Sequence, residues 1–185
     1  MNVSRALEEI FKQDFSCLAE NIHLKDSFGR TLSKPLAINK NIPEFDTSSM
    51  DGFAVSKSSL GKIGRFTVLG ETPAGARSSY TIKPNECVKV YTGSRMPKNA
   101  DFVVIQENTW SQGNFMYVND YDIKSSYVRK TGLDFRKGQI ISNPMLIDYK
   151  LISALASLNL EKVSVLKKPK VCIIPTGNEI LALGS

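Results

Sequence analysis

Asn41-Ile-Pro-Glu-Phe-Asp-Thr-Ser-Ser-Met-Asp-Gly-Phe-Ala-Val55 decides how this chain is read. Pro43 sets an extended entry. The run Thr47-Ser-Ser49 is small and hydroxylated. Asp51 stands directly before Gly52, and Phe53-Ala-Val55 reads as the start of a strand. A carboxylate held at a glycine turn ahead of a strand can aim an acid at a ligand or a metal. Asp-Gly is also an ordinary turn. What lies on either side of the stretch has to separate these readings.

Downstream the chain reads as β structure. Strands are expected at Phe66–Leu69, Glu86–Tyr91, Asp101–Gln106 and Phe115–Val118, the last reached through a Ser-Gln-Gly-Asn turn. Gly and Pro punctuate the intervals, a spacing that suggests a small sandwich or distorted barrel. Upstream, Val3, Leu7, Ile10 and Phe11 share a helical face. The spacing predicts a helix from about Ser4, as N-cap, to Asp14. An extended piece at Asn21–Leu24 and a turn closed by Gly29 follow, and Thr31–Ile38 reads as an extended arm. Beyond residue 145, Ile147, Leu151, Ala154, Leu155 and Leu158 give a second amphipathic helix, with Asp148 near its start and Asn159 at its stop. Lys170-Val-Cys-Ile-Ile174 has the apolar character of a buried parallel strand, which needs neighbours and covering helices. The sequence therefore reads as stopping at the start of a further domain.

The bounds are those of a packed protein. Its 185 residues are 42% hydrophobic and 23% charged, enough for one ordinary domain or two small ones. No apolar run reaches bilayer length, and the acidic N-terminal stretch is unlike a signal peptide, so a cytoplasmic protein without a membrane is expected. Cys17, Cys87 and Cys172 are far apart and odd in number, which indicates neither a disulfide framework nor a zinc site. With His23 alone, multi-histidine metal sites and a histidine-based triad are poor readings. The net charge is +6, and residues 121–185 carry ten Lys/Arg against five Asp/Glu. That excess is either a solvated basic face or an attraction for an anionic small molecule. A nucleic-acid partner is not expected, because aromatics do not interleave with the basic residues.

Three further stretches could carry chemistry. In Tyr91-Thr-Gly-Ser-Arg-Met-Pro97, the hydroxyls of Thr92 and Ser94, backbone N–H groups opened by Gly93 and the Arg95 cation could bind an oxyanion. Arg129-Lys-Thr-Gly-Leu-Asp134 presents Lys130 and Asp134. Pro175-Thr-Gly-Asn-Glu179 places Glu179 on a glycine loop after an apolar run, where α/β sheets put ligands. Read alone, each is also an ordinary turn.

Together and in this order the four stretches resemble the MoeA family, the molybdopterin molybdenumtransferases. The leading stretch resembles that family's proline-aspartate-serine-methionine-aspartate-glycine signature. Thr92-Gly-Ser-Arg-Met-Pro97, continued by Asp101-Phe-Val-Val-Ile-Gln-Glu107, resembles its Thr-Gly segment and the strand after it. The third keeps Gly132 and Asp134, with Leu133 where the family has Glu. Thr176-Gly-Asn-Glu179 resembles the loop opening its third subdomain. Phe28-Gly-Arg30 and Gly70-Glu-Thr-Pro-Ala-Gly75 agree as well.

The resemblance implies an elongated two-part α+β region. A discontinuous subdomain spans 1–45 and 136–168, a β-rich insert spans 46–135, and residues 169–185 begin a truncated α/β subdomain. It implies insertion of molybdate into adenylylated molybdopterin with release of AMP, and a chain that is the N-terminal portion of such an enzyme. Asp51, Thr92, Asp134 and Glu179 would be catalytic, with Asp51 and Glu179 holding Mg²⁺. Gly93, Ser94, Arg95 and Lys130 would bind the substrates, and Arg136 would add attractive field. The implied partners are a second copy in a homodimer and the molybdopterin adenylyltransferase. The family also includes the scaffold gephyrin, so a non-catalytic dimerisation or scaffold module is the alternative. A generic anion- or nucleic-acid-binding β domain is a third.

Overall fold

A computed structural model describes residues 2–13, 17–142, 145–177, 179–181 and 184. In chain order its regular elements are helix α1 (Val3–Phe11) and strands β1 (Ala19–His23), β2 (Leu36–Ala37), β3 (Thr47–Ser48), β4 (Gly52–Val55), β5 (Phe66–Thr72), β6 (Glu86–Val90), β7 (Phe102–Ile105), β8 (Thr109–Gln112), β9 (Phe115–Val118), β10 (Val128–Arg129) and β11 (Ile140–Ile141). Helix α2 (Tyr149–Ser157) and strand β12 (Lys162–Leu166) complete them. The chain is α+β and mostly β. It divides into two compact units, one formed by Met1–Leu36 with Ser142–Ser185, the other by Ala37–Ile141.

The insert is thus longer at both ends than 46–135. Residues 37–45 join it because they are stitched to residues 135–141. Ile38 N–H donates to the Gln139 carbonyl at 2.9 Å, and Ile42 N–H to that of Phe135 at 2.8 Å. Its centre is a six-stranded sheet in the order β7-β4-β6-β5-β9-β8. β5 and β6 run parallel, with an irregularity between Val68 and Glu71, and the other neighbours are antiparallel. Side chains alternate between the two faces, as the strand period of two requires. Phe53, Val55, Phe66, Cys87, Phe102, Val104 and Met116 pack on one face. Ala54, Val88, Val90 and Val103 pack on the other, with Ile82 and Met96. β4 is buried throughout, which is why Gly-Phe-Ala-Val carries no polar position.

Gly52 corrects the first reading of Asp-Gly. It is the first residue of β4 rather than a turn residue. A Cβ built there would lie 2.1 Å from the Val104 carbonyl oxygen of β7. The glycine is present because two backbones meet closely. It fixes where the strand begins and so where Asp51 sits.

The discontinuous unit pairs β1 with β12 antiparallel, Ala19 opposite Leu166 and His23 opposite Lys162. Val163 and Val165 alternate inward with Leu24, Leu32, Ile147, Leu155 and Leu158. Arg30 of the Phe-Gly-Arg stretch donates to the Glu20 carboxylate at 2.5 Å and to the Leu166 carbonyl at 2.7 Å, which explains that arginine structurally. α2 starts where Asp148 caps the Leu151 N–H at 2.8 Å, and it stops before Asn159, whose φ is +60°. α1 begins at Val3, not after Ser4, because the Asn2 side chain caps the Arg5 N–H at 2.9 Å; Asp14, its expected end, lies outside the described residues. The strand expected at Lys170–Ile174 is not formed. Val171, Ile173 and Ile174 are exposed and, among the described residues, no neighbour offers them a ladder. No described helix is long and apolar enough to cross a membrane.

Candidate functional site: two aspartates clamping two Thr-Gly loops

Residues 46–51 lie between two loops of the β-rich unit. On one side β3 pairs with β10, Thr47 opposite Arg129 and Ser48 opposite Val128. On the other, Ser48 exchanges backbone hydrogen bonds with the 93–94 loop. Its N–H donates to the Ser94 carbonyl, and the Gly93 N–H donates to the Ser48 carbonyl, each at 2.9 Å. The Met96 N–H reaches the Asp46 carbonyl at 2.9 Å. Small residues at 47–49 let both loops approach this segment, and Ser48 is buried between them.

Each end of the segment is an aspartate, and the two do the same thing. Asp51 Oδ1 accepts the Thr92 N–H at 2.8 Å and the Thr92 hydroxyl at 3.0 Å. Asp46 Oδ1 accepts the Thr131 N–H at 2.8 Å and the Thr131 hydroxyl at 3.1 Å. Both threonines precede a glycine with positive φ, Gly93 at +86° and Gly132 at +71°. Asp46 Oδ2 also takes Lys130 Nζ at 2.8 Å. Partial burial pushes the Asp46 carboxyl up, but Lys130 and the two Thr131 donors outweigh it and hold it below 3.8.

The structure brings together Asp51 with Thr92 and, through the same segment, sets Lys130. Asp134 is engaged separately, with both its oxygens facing Arg129 at 2.7 and 2.9 Å. Ser94 is fully buried. Its hydroxyl accepts the Tyr91 N–H at 2.9 Å and donates to the Thr72 carbonyl at 2.6 Å, so the side chain shapes the loop from inside. The expected cradle of backbone N–H groups is likewise engaged within the fold: Thr92 to Asp51, Gly93 to Ser48, Ser94 to Tyr91 at 2.8 Å. That loop is therefore not an open anion nest, and Arg95 is its remaining donor. The guanidinium lies 3.7 Å over the Phe45 ring. Glu179 belongs to the other unit, where it is exposed and its carboxylate occupies the space beside Gly177. Asn178 of that loop lies outside the described residues.

Asp51 retains Oδ2 and Thr92 retains hydroxyl lone pairs. This is an acceptor pair, suited to a cation, a water or a hydroxyl group rather than to an oxyanion. Mg²⁺ takes about six oxygen ligands, and the described residues contain no group of three carboxylate, histidine or cysteine side chains able to gather on an ion. This donor set is not a metal centre on its own.

Sequence reasoning missed Asp46 and Phe45. The signal was present: two aspartates five positions apart, and two later Thr-Gly pairs each needing a partner for the threonine N–H.

The family model for the MoeA N-terminal region, domains I and II, matches residues 1–159. The chain belongs to this family. A MoeA relative from Staphylococcus epidermidis, a molybdopterin molybdenumtransferase, is 32% identical over 98% of the chain and 45% of its own length. One of the same name from Nostoc is 29% identical over 89% of the chain and 39% of its length. A crystal structure of the molybdopterin biosynthesis MoeA protein from Pyrococcus horikosii superposes with a TM-score of 0.86 at 26% identity. It covers 100% of the chain and 49% of that protein. The chain thus spans about half the length of the MoeA proteins it matches.

Proposed function

We propose that this chain is the N-terminal part of a molybdopterin molybdenumtransferase, which moves molybdenum from molybdate onto the dithiolene of adenylylated molybdopterin and releases AMP. The Asp51–Thr92 pair carries this reading. It joins two family-matched polar residues, 41 positions apart in sequence, in a single polar unit at 2.8 and 3.0 Å. The relatives that match along almost the whole chain bear that activity in their names.

In this reading Asp51 fixes the Thr92 hydroxyl as a donor to itself and so turns its lone pairs outward. The Asp51 Oδ2 and Thr92 Oγ1 atoms orient a water or a substrate hydroxyl. Mg²⁺, which neutralises adenylylated phosphate when bound, needs further oxygens beyond these two. Glu179, in the other unit, is proposed as a cation-binding acid in its own right. Asp134 with its Arg129 partner and Lys130 with Asp46 set the charge around the loops. Gly93 allows the turn that presents Thr92. A homodimer is proposed on the apolar face of α1, where Val3, Leu7, Ile10 and Phe11 are all exposed. The adenylyltransferase is proposed as the supplier of substrate, and a cytoplasmic setting follows from that chemistry.

The test is Asp51→Asn in the protein carrying this chain with the remaining length of its relatives. Loss of a hydrogen bond to a charged group is worth ~1.5–3 kcal/mol, so molybdenum insertion should fall about ten- to a hundredfold with the fold retained. Insertion at the wild-type rate would falsify the assignment.

A further inference from the structure

Arg95 marks a second place on the same unit. This half-buried residue, its guanidinium over the Phe45 ring, lines a recess of about 330 Å³ with Phe45, Asp46, Asn99 and Thr131. Asp51 and Thr92 do not line this recess. We propose that the recess binds a tetrahedral oxyanion through Arg95, as a subsite separate from the Asp51–Thr92 pair. The choice of ligand rests on the proposed activity, whose substrates supply two such groups, a phosphate and molybdate.

The argument is one of unmatched donors. Among the described residues the Arg95 guanidinium makes no hydrogen bond or ion pair with a carboxylate or carbonyl, although a partly buried arginine usually has such a partner. Phe45 supplies a cation–π contact instead, which holds the guanidinium in place before any anion arrives. Asp46 on the same wall would repel an anion, but both its oxygens are engaged. Lys130 pairs with Oδ2 at 2.8 Å, and Thr131 donates twice to Oδ1. With Asp46 and Lys130 cancelling, the wall keeps the Arg95 charge. Asn99 donates one amide N–H to the Ile82 carbonyl at 3.3 Å, and the second N–H of the same NH₂ is left as a donor for an anion. The loop before Arg95 has no backbone donors to offer, so an anion drawn to this loop meets the guanidinium.

The experiment is an NMR titration of this chain with inorganic phosphate, molybdate and AMP in turn, following backbone amides and the arginine Nε–H signals at low salt. The expected result is saturable shifts at Arg95, Asn99 and Thr131. Arg95→Gln should weaken binding about tenfold or more, as expected for losing a charge-assisted pair. Phe45→Ala should weaken it less, and Thr92→Val should leave it within about twofold. Stronger binding of molybdate than phosphate assigns the metal oxyanion; stronger binding of AMP assigns the nucleotide phosphate. Both support the proposal. Absence of saturable shifts with all three ligands, an Arg95→Gln variant of wild-type urea midpoint that binds equally well, or loss of binding in Thr92→Val overturns it. None of these results bears on the Asp51→Asn transfer test, so the two ideas fail separately.

Discussion

Replacing Asp46 by alanine removes three contacts at once: the Thr131 N–H at 2.8 Å, the Thr131 hydroxyl at 3.1 Å and the Lys130 ammonium at 2.8 Å. Its carboxylate is 34% exposed and its Lys130 partner 60% exposed, so solvent weakens all three. Net hydrogen bonds are worth ~0.5–1.5 kcal/mol and exposed ion pairs ~0.2–1. Taking the low end for the two Thr131 hydrogen bonds and the middle of the range for the ion pair gives about 1 kcal/mol for Thr131 and about 0.5 for Lys130. Asp46→Ala should therefore cost ~1.5 kcal/mol, roughly 3–6 °C in Tm for a chain of this size. The pH dependence has a definite sign. Because the folded carboxyl titrates below 3.8, its contribution is fully present above that value and is lost as pH falls through the folded value. Urea unfolding of wild type and Asp46→Ala, from neutral pH down to about pH 3, should show two midpoints that converge at the acid end. A gap that is absent at neutral pH, or that widens in acid, would refute the reasoning.

Gly52→Ala should be far more damaging than a glycine-to-alanine change in an ordinary strand. Its Cβ would meet the Val104 carbonyl at 2.1 Å, and the loss should reach about 3 kcal/mol or more, read from the urea midpoint. Cys87 is buried and its thiol is pushed up to about 12, whereas Cys17 and Cys172 are exposed. A thiol reagent at neutral pH should modify Cys17 and Cys172 in the folded protein and reach Cys87 only in denaturant; labelling of Cys87 in the native state would contradict the described packing.

How much of this was legible in the sequence follows from where the signals were local. α2 was readable because its cap Asp148 and its stop at Asn159 bracket one apolar face. β9 matched Phe115–Val118 because a glycine turn leads into a run with three β-formers, Phe115, Tyr117 and Val118. β8 escaped because Thr109–Gln112 mixes Trp110 with polar residues and lies largely exposed, an edge strand defined only by its partner. The Asp-Gly pair looked like a turn. Only the closeness of β7 explains the glycine. Thr92 and Asp51 were named as separate candidates, yet the 41-residue separation hid that they share hydrogen bonds. The oxyanion cradle misled for a similar reason. Gly93 suggests open N–H groups, but residue 48, folded against the loop, already accepts one of them. The apolar run at 170–174 shows the limit of pattern reading, since apolar β-formers make a strand only beside another strand.

Since Asp51 and Thr92 are held to be one polar unit serving one reaction, the most direct measurement is molybdenum insertion by four proteins of full relative length: wild type, Asp51→Asn, Thr92→Val and the double variant. If the pair acts as one, the double variant should be no slower than the slower single variant, because either change already dissolves the unit. Rate losses that multiply across the two positions would mean that each residue works alone, and the shared site described here would not exist.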